Sequence, residues 1–137
     1  MFGKGAALSN LDRREDAIKA YDACIEKFSN ETDTEIKQTV ADAMFGKGVS
    51  LSSLERYDDA IEVYDALIEK FGDETDTEIK QQVAQAMLGK GLALSSLDRV
   101  DDAIKAYDAC IQKFSNETDK GIQETVKEAR EKRDKLR

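Results

Sequence analysis

The chain repeats itself. Aligned against itself at an offset of 43, the segment Phe2 to Met44 falls on Phe45 to Met87 with 30 identities in 43 positions. Adjacent copies this similar mean that one supersecondary unit is stacked along an axis, each unit burying its apolar face against the next.

Within the unit the apolar spacing is helical. In the second copy Ile36, Val40, Ala43, Met44, Leu51 and Leu54 recur at intervals of three and four, or sums of these, so they share one face of a helix of about twenty residues. Thr32-Asp33-Thr34-Glu35 upstream has the spacing of a capping box, with Glu35 placed to reach back to the first unpaired amides. A tight connection at Glu55-Arg56 leads to a second stripe, Ala60, Ile61, Tyr64, Leu67, Ile68 and Phe71, with Asp58 and Asp59 in the first turn where the helix dipole favours negative charge. No proline interrupts either pattern anywhere in the chain.

The expected organisation is one repeat domain over residues 1–137, with copies at 1–44, 45–87 and 88–118 and a capping helix at 119–137. The first copy starts partway into its opening helix, because Met1 aligns with Met44 and Met87. At the far end Met87 becomes Arg130, Leu88 becomes Glu131, Gly89 becomes Lys132 and Leu94 becomes Arg137, the polar outer face that a last helix needs.

These residues carry a resemblance to a known family. Gly5, Leu8, Ala17 and Tyr21, then Gly48, Leu51, Ala60 and Tyr64, then Gly91, Leu94, Ala103 and Tyr107 match the small, large, alanine and aromatic signature positions of the tetratricopeptide repeat. The resemblance covers essentially the whole chain in a lengthened form. Met44 and Met87 stand where that family often has Trp, Lys4, Lys47 and Lys90 where it has Leu, and Ser29, Gly72 and Ser115 where it closes on Pro. It implies an all-α fold, a right-handed α-solenoid of three stacked helix pairs plus a C-terminal capping helix.

Glycine beside lysine invites a nucleotide reading of FGKG and LGKG, and the spacing defeats it. A phosphate loop needs a glycine five residues before the Gly-Lys pair and a hydroxyl after it; here Ala41 and Gly48 occupy those places, inside a helical pattern. The second glycine of each motif is read instead as a close-packing position opposite Ala60. The lysine is odder, since Lys47 falls between Ile36, Val40 and Leu51 on the apolar face, where a charge needs a partner. Asp22, Asp65 and Asp108 recur on the second helix, and a Lys47–Asp65 contact is the expectation.

Other chemistry finds no footing, and no catalytic residue, cofactor or metal is expected. Histidine is absent, and nearly every polar residue is duplicated, whereas catalysis needs unlike groups converging on one pocket. The acidic turns around Asn30-Glu31 and Asp73-Glu74 lack the spaced ligands and central glycine of a calcium loop. Cys24 and Cys110 occupy equivalent positions two copies apart, too far for a disulfide, and read as packing residues. A net charge of −8 disfavours nucleic acid. No run approaches the length of a membrane span and no leader is seen, so a cytoplasmic home is the default expectation.

What the resemblance implies about function is protein binding without enzymatic activity. The groove for a peptide or partner helix would be lined by Phe2, Ala6, Ser9 and Asn10, by Asp42, Phe45, Val49, Ser52 and Ser53, and by Gln85, Leu88, Leu92, Ser95 and Ser96. The alternative is a structural segment that self-associates through its exposed terminal repeat, a homo-oligomer.

Overall fold

A computed structural model describes residues 2–137, with side chains from Leu11 onward. It contains α1 (Phe2–Phe28), α2 (Thr34–Ser53), α3 (Tyr57–Phe71), α4 (Thr77–Ser96), α5 (Val100–Phe114) and α6 (Lys120–Leu136), and no strand among the described residues. The chain is an all-α solenoid of helix pairs. The groove and signature positions at Phe2, Gly5, Ala6, Ser9 and Asn10, and Lys4 with them, lie outside the described side chains.

Each even-numbered helix begins where an aspartate catches a free amide. Asp33, Asp76 and Asp119 sit in extended backbone, and their carboxylates accept from the N–H groups of Ile36, Ile79 and Ile122 at 3.2, 3.1 and 3.1 Å. The capping box expected from Thr32 and Glu35 is therefore displaced by one residue. Its glutamate is dispensable, since Gly121 takes the place of Glu35 in the last copy and the aspartate cap persists.

The helices of a pair are joined by a Schellman turn. After α2 the N–H of Arg56 donates to the Leu51 carbonyl and that of Glu55 to Ser52; Arg99 and Asp98 repeat this on Leu94 and Ser95 after α4. Glu55 and Asp98 adopt the left-handed conformation, at φ 61° and 59°, which costs a non-glycine residue roughly 1–2 kcal/mol. Packing of the two arms offsets that strain.

In the first copy the expected pair is a single helix, because α1 runs unbroken through Leu11-Asp12-Arg13 where the other copies turn. Arg14 there replaces the apolar Tyr57 and Val100 that open α3 and α5. Continuing the helix also avoids a left-handed residue at Asp12, the counterpart of Glu55 and Asp98.

Each helix packs on its neighbours in sequence. In addition α2 contacts α4 and α4 contacts α6, whereas among the described residues α1, α3 and α5 make no such contacts with one another. The even-numbered helices thus form the tighter, inner layer. Between the layers lie Val40, Met44 and Leu51 of α2, Ala60, Tyr64 and Leu67 of α3, and their counterparts in α4 and α5, in one continuous core. No helix among the described residues is long and apolar enough to cross a membrane.

The Gly-Lys-Gly motif sets the register of this stack. A Cβ at Gly48 would collide with Cε1 of Tyr64 in its own pair, and one at Gly91 with Tyr107. The first glycine of each motif faces backward instead: a Cβ at Gly46 would stand 2.6 Å from Tyr21 Cζ, and one at Gly89 2.7 Å from Tyr64 Cζ. Tyr64 is consequently clasped from both sides by helix backbone, and only glycine permits that approach.

The lysine between the glycines also faces backward. Lys47 pairs with Asp22 at 2.5 Å and Lys90 with Asp65 at 2.7 Å, so the expected Lys47–Asp65 contact is not formed. The physical reason is the side of α2 on which the lysine lies: next to Gly46 it meets the Tyr-Asp step of the preceding helix, whereas Asp65 meets the following one. Arg133 continues the series on Asp108 at 2.9 Å, although Lys132 has replaced the first glycine there. These pairs are partly exposed, and each is worth about 1 kcal/mol at most. Their consequence is specificity of register rather than stability.

Candidate functional site

The inner face carries the residues expected to line a groove, and the structure divides them. Val49 on α2 and Leu92 on α4 are the most exposed large apolar side chains there, at 42% and 38%. With Ser52, Ser53 and Ser96 they rim a cup of about 340 Å³, lined also by Tyr57, Tyr64, Gly89 and Ala93. The cup exists because Gly89 has no side chain: the aromatic ring of Tyr64 and the bare backbone of α4 leave space between two adjacent inner helices.

Phe45 and Leu88 belong to the wall and the core rather than to the opening. Phe45 is half-buried with its ring 6.1 Å from that of Tyr64, tilted by 38°. Leu88 is only 8% exposed, because contact between α2 and α4 closes over it. Expected to line the groove, Leu88 offers little surface to a ligand in this structure. Ser95 and Gln85 are half-buried and line no part of the cup.

Asp42, two turns before Val49, opens onto a second depression of about 520 Å³ with Thr77, Glu78, Gln81, Gln82, Asp119 and Gly121. Gln82 donates to the Asp42 carboxylate at 2.6 Å. Burial pushes the Asp42 carboxyl above the usual aspartate range, and the Gln82 hydrogen bond opposes this. Gln81 and Gln82 each keep a buried Oε1 without a protein partner. Three carboxylates and no cation line this basin, so its potential is negative.

The cup is not repeated further along. Lys135 of α6 occupies the place of Val49 and Leu92, and Glu131 that of Phe45 and Leu88. The α6 surface instead mixes Glu124, Glu128 and Glu131 with Lys127, Lys132 and Lys135. Tyr57, Tyr64, Gly89 and Ala93 are the cup residues that the family resemblance did not mark for binding. Tyr64 reads as core, and Tyr57 falls at a helix start where only its departure from Val100 and Arg14 singles it out.

The two thiols differ in burial. Cys110 is fully buried with its Sγ–H directed at the Ala84 carbonyl at 3.7 Å, and burial pushes its pKa up to about 11. Cys24, in the equivalent slot of α1, is half-buried. With a thiol reagent at neutral pH, Cys24 is expected to react first and Cys110 only as the chain unfolds; equal native-state rates would contradict this packing. Among the described residues no group of three His, Cys, Asp or Glu side chains is placed to hold a metal ion.

The family model for the tetratricopeptide repeat matches residues 2–75 and, overlapping, residues 55–117. No curated protein and no solved structure matches the chain.

Proposed function

The chain belongs to the tetratricopeptide-repeat family, whose repeats are generally protein–protein interaction modules, and we propose that it holds a peptide or partner helix across α2 and α4. The observation that carries this reading is the pairing of Val49 and Leu92 over a cup lined by Tyr57 and Tyr64. Exposed aliphatic side chains over an aromatic-lined recess suit one apolar anchor of the ligand. The family is typically non-enzymatic, and the inner face offers contact surface rather than reacting groups.

Chemistry further specifies the ligand. Asp42 lies seven residues before Val49 on α2, about 10 Å along the helix axis. A partner that seats an apolar side chain in the cup therefore reaches the acidic basin with a residue about three positions away if extended, or about two turns away if helical. That second residue is a lysine or arginine. Apolar anchoring would set the affinity, and the carboxylates would raise the association rate in a salt-dependent way.

The test begins with a partner captured on the intact chain and mapped to a peptide. Val49→Asp combined with Leu92→Asp should weaken its binding by about 30-fold or more, the loss of about 2 kcal/mol expected of a central anchor. Asp42→Asn should chiefly lower the association rate and flatten its salt dependence. Unchanged affinity in the double variant would place the partner elsewhere on the molecule.

A further inference from the structure

We infer that the outer cleft between α3 and α5 is a docking site for an acidic segment of a partner protein. The inference does not depend on the inner groove. Among the described residues α3 and α5 make no contact with each other, and α4 packs against both. Between them opens a cleft of about 480 Å³. Ile61 of α3, Leu94 of α4, and Ala106 and Ala109 of α5 give it an apolar floor. Its charged lining is three cations, Lys90, Arg99 and Lys105, against two carboxylates, Asp65 and Asp102.

The repeat supplies a control within the same molecule. One period earlier, the equivalent positions carry the same residues at seven of nine places. The two exceptions change charge and size: Lys105 stands where α3 has Glu62, and Ala106 where it has Val63. The earlier set therefore holds two cations against three carboxylates, the opposite sign.

Arginine shows what the later cleft lacks. Arg56 sets Nε and Nη2 on Asp59 Oδ2 at 3.1 and 3.0 Å, and its Nη1 stands 3.7 Å from the Glu15 carboxylate of α1. Arg99 repeats the first contact, with Nε and Nη2 on Asp102 Oδ2 at 3.1 and 2.8 Å. Asp58, one methylene shorter, takes the place of Glu15, and among the described residues no carboxylate pairs with Arg99 Nη1. Lys90 is occupied by Asp65 at 2.7 Å, whereas Lys105 is exposed and has no ion-pair partner among the described residues.

One carboxylate of a ligand thus meets Arg99 Nη1 as Glu15 meets Arg56, and another meets Lys105. The two cations lie six residues apart, about 9 Å along the helix axis, roughly the span of three extended residues. Charges over an apolar floor suit a segment that alternates acidic and aliphatic side chains. A free anion would lose hydration to the floor without replacing it. The net charge of −8 opposes any general attraction for acidic ligands, so binding confined to this cleft is diagnostic.

The probe is an acetylated and amidated pentapeptide of alternating glutamate and leucine, titrated into the isotope-labelled full chain to millimolar concentration. Amide shifts are expected at Arg99, Lys105 and Ala109 and not at Val49 or Leu92. Lys105→Glu gives an exposed position the charge of the earlier cleft and should weaken binding about tenfold, as reversal of a paired charge does. Glu15→Gln with Glu62→Lys should add a second site, with new shifts at Lys47 and Arg56, a gain that loss of structure does not imitate. Replacing glutamate by glutamine in the peptide should also weaken binding about tenfold. Absence of shifts at the cleft, shifts indifferent to Lys105→Glu, or the same shifts from inorganic phosphate alone would overturn the assignment. Cleft shifts that follow protein concentration without peptide would overturn it too, by making a second copy the occupant.

Discussion

Tyr64→Ala is expected to lower the free energy of unfolding by about 3–5 kcal/mol, the range for removing a buried aromatic ring. The ring is 2% exposed and fills the space between the backbones of α2 and α4 while touching Phe45. Its loss would open a cavity between the backbones at Gly48 and Gly89, shared by two repeats. For a domain whose total stability falls in the ordinary range of about 5–15 kcal/mol, that is a large share. Chemical denaturation of the two proteins measures it.

The glycine opposite provides the sharper version of the same experiment. An alanine in a helix interior is normally worth about 1 kcal/mol over glycine. At Gly48 the added methyl meets a buried ring, so Gly48→Ala should instead destabilise by about 1–3 kcal/mol. In the Tyr64→Ala background the obstruction is gone and Gly48→Ala should become neutral or stabilising. The sign reversal is the test of the clasp; a Gly48→Ala effect independent of residue 64 would mean that the glycine serves something else. At Gly46 the cost should be smaller, because Tyr21 is half-buried and its ring has room to shift.

The clasp also marks where reading the sequence stops. Helices α2 to α6 were legible because their apolar spacing is carried by several residues at once, and the turns because Glu55-Arg56 and its copy break that spacing at the same place. The partner of Lys47 was not legible. A repeat supplies an aspartate at Asp22 and an identical one at Asp65, and nothing in the spacing says whether a side chain faces its own pair or the preceding one. That choice belongs to the stacking of helices, as does the burial of Leu88: α2 closes over it, whereas the same stripe leaves Leu92 open. In α1 most local signals of the other copies are present, and the turn is absent where Arg14 stands in place of the apolar Tyr57 and Val100.

Equivalent residues in different surroundings allow one substitution to be tested three times. Ile36, Ile79 and Ile122 hold the same position in α2, α4 and α6, each donating its N–H to the capping aspartate three residues earlier. Ile79 and Ile122 are completely buried, and Ile36 is half-buried. The isoleucines of α4 and α6 face helices that cover them, while α2 has only α1 behind it. Ile79→Ala and Ile122→Ala should each cost about 3–4 kcal/mol, since transfer and cavity terms both apply, and Ile36→Ala should cost about 1 kcal/mol, since water refills part of the space. Ile36 and Ile79 share the local sequence Thr-Glu-Ile-Lys-Gln and the same aspartate cap, so a difference between those two reports packing alone. Three equal values would mean that the first repeat is covered as fully as the others in the single chain. The predicted order, with Ile36 least sensitive, follows the order of burial of the three isoleucines.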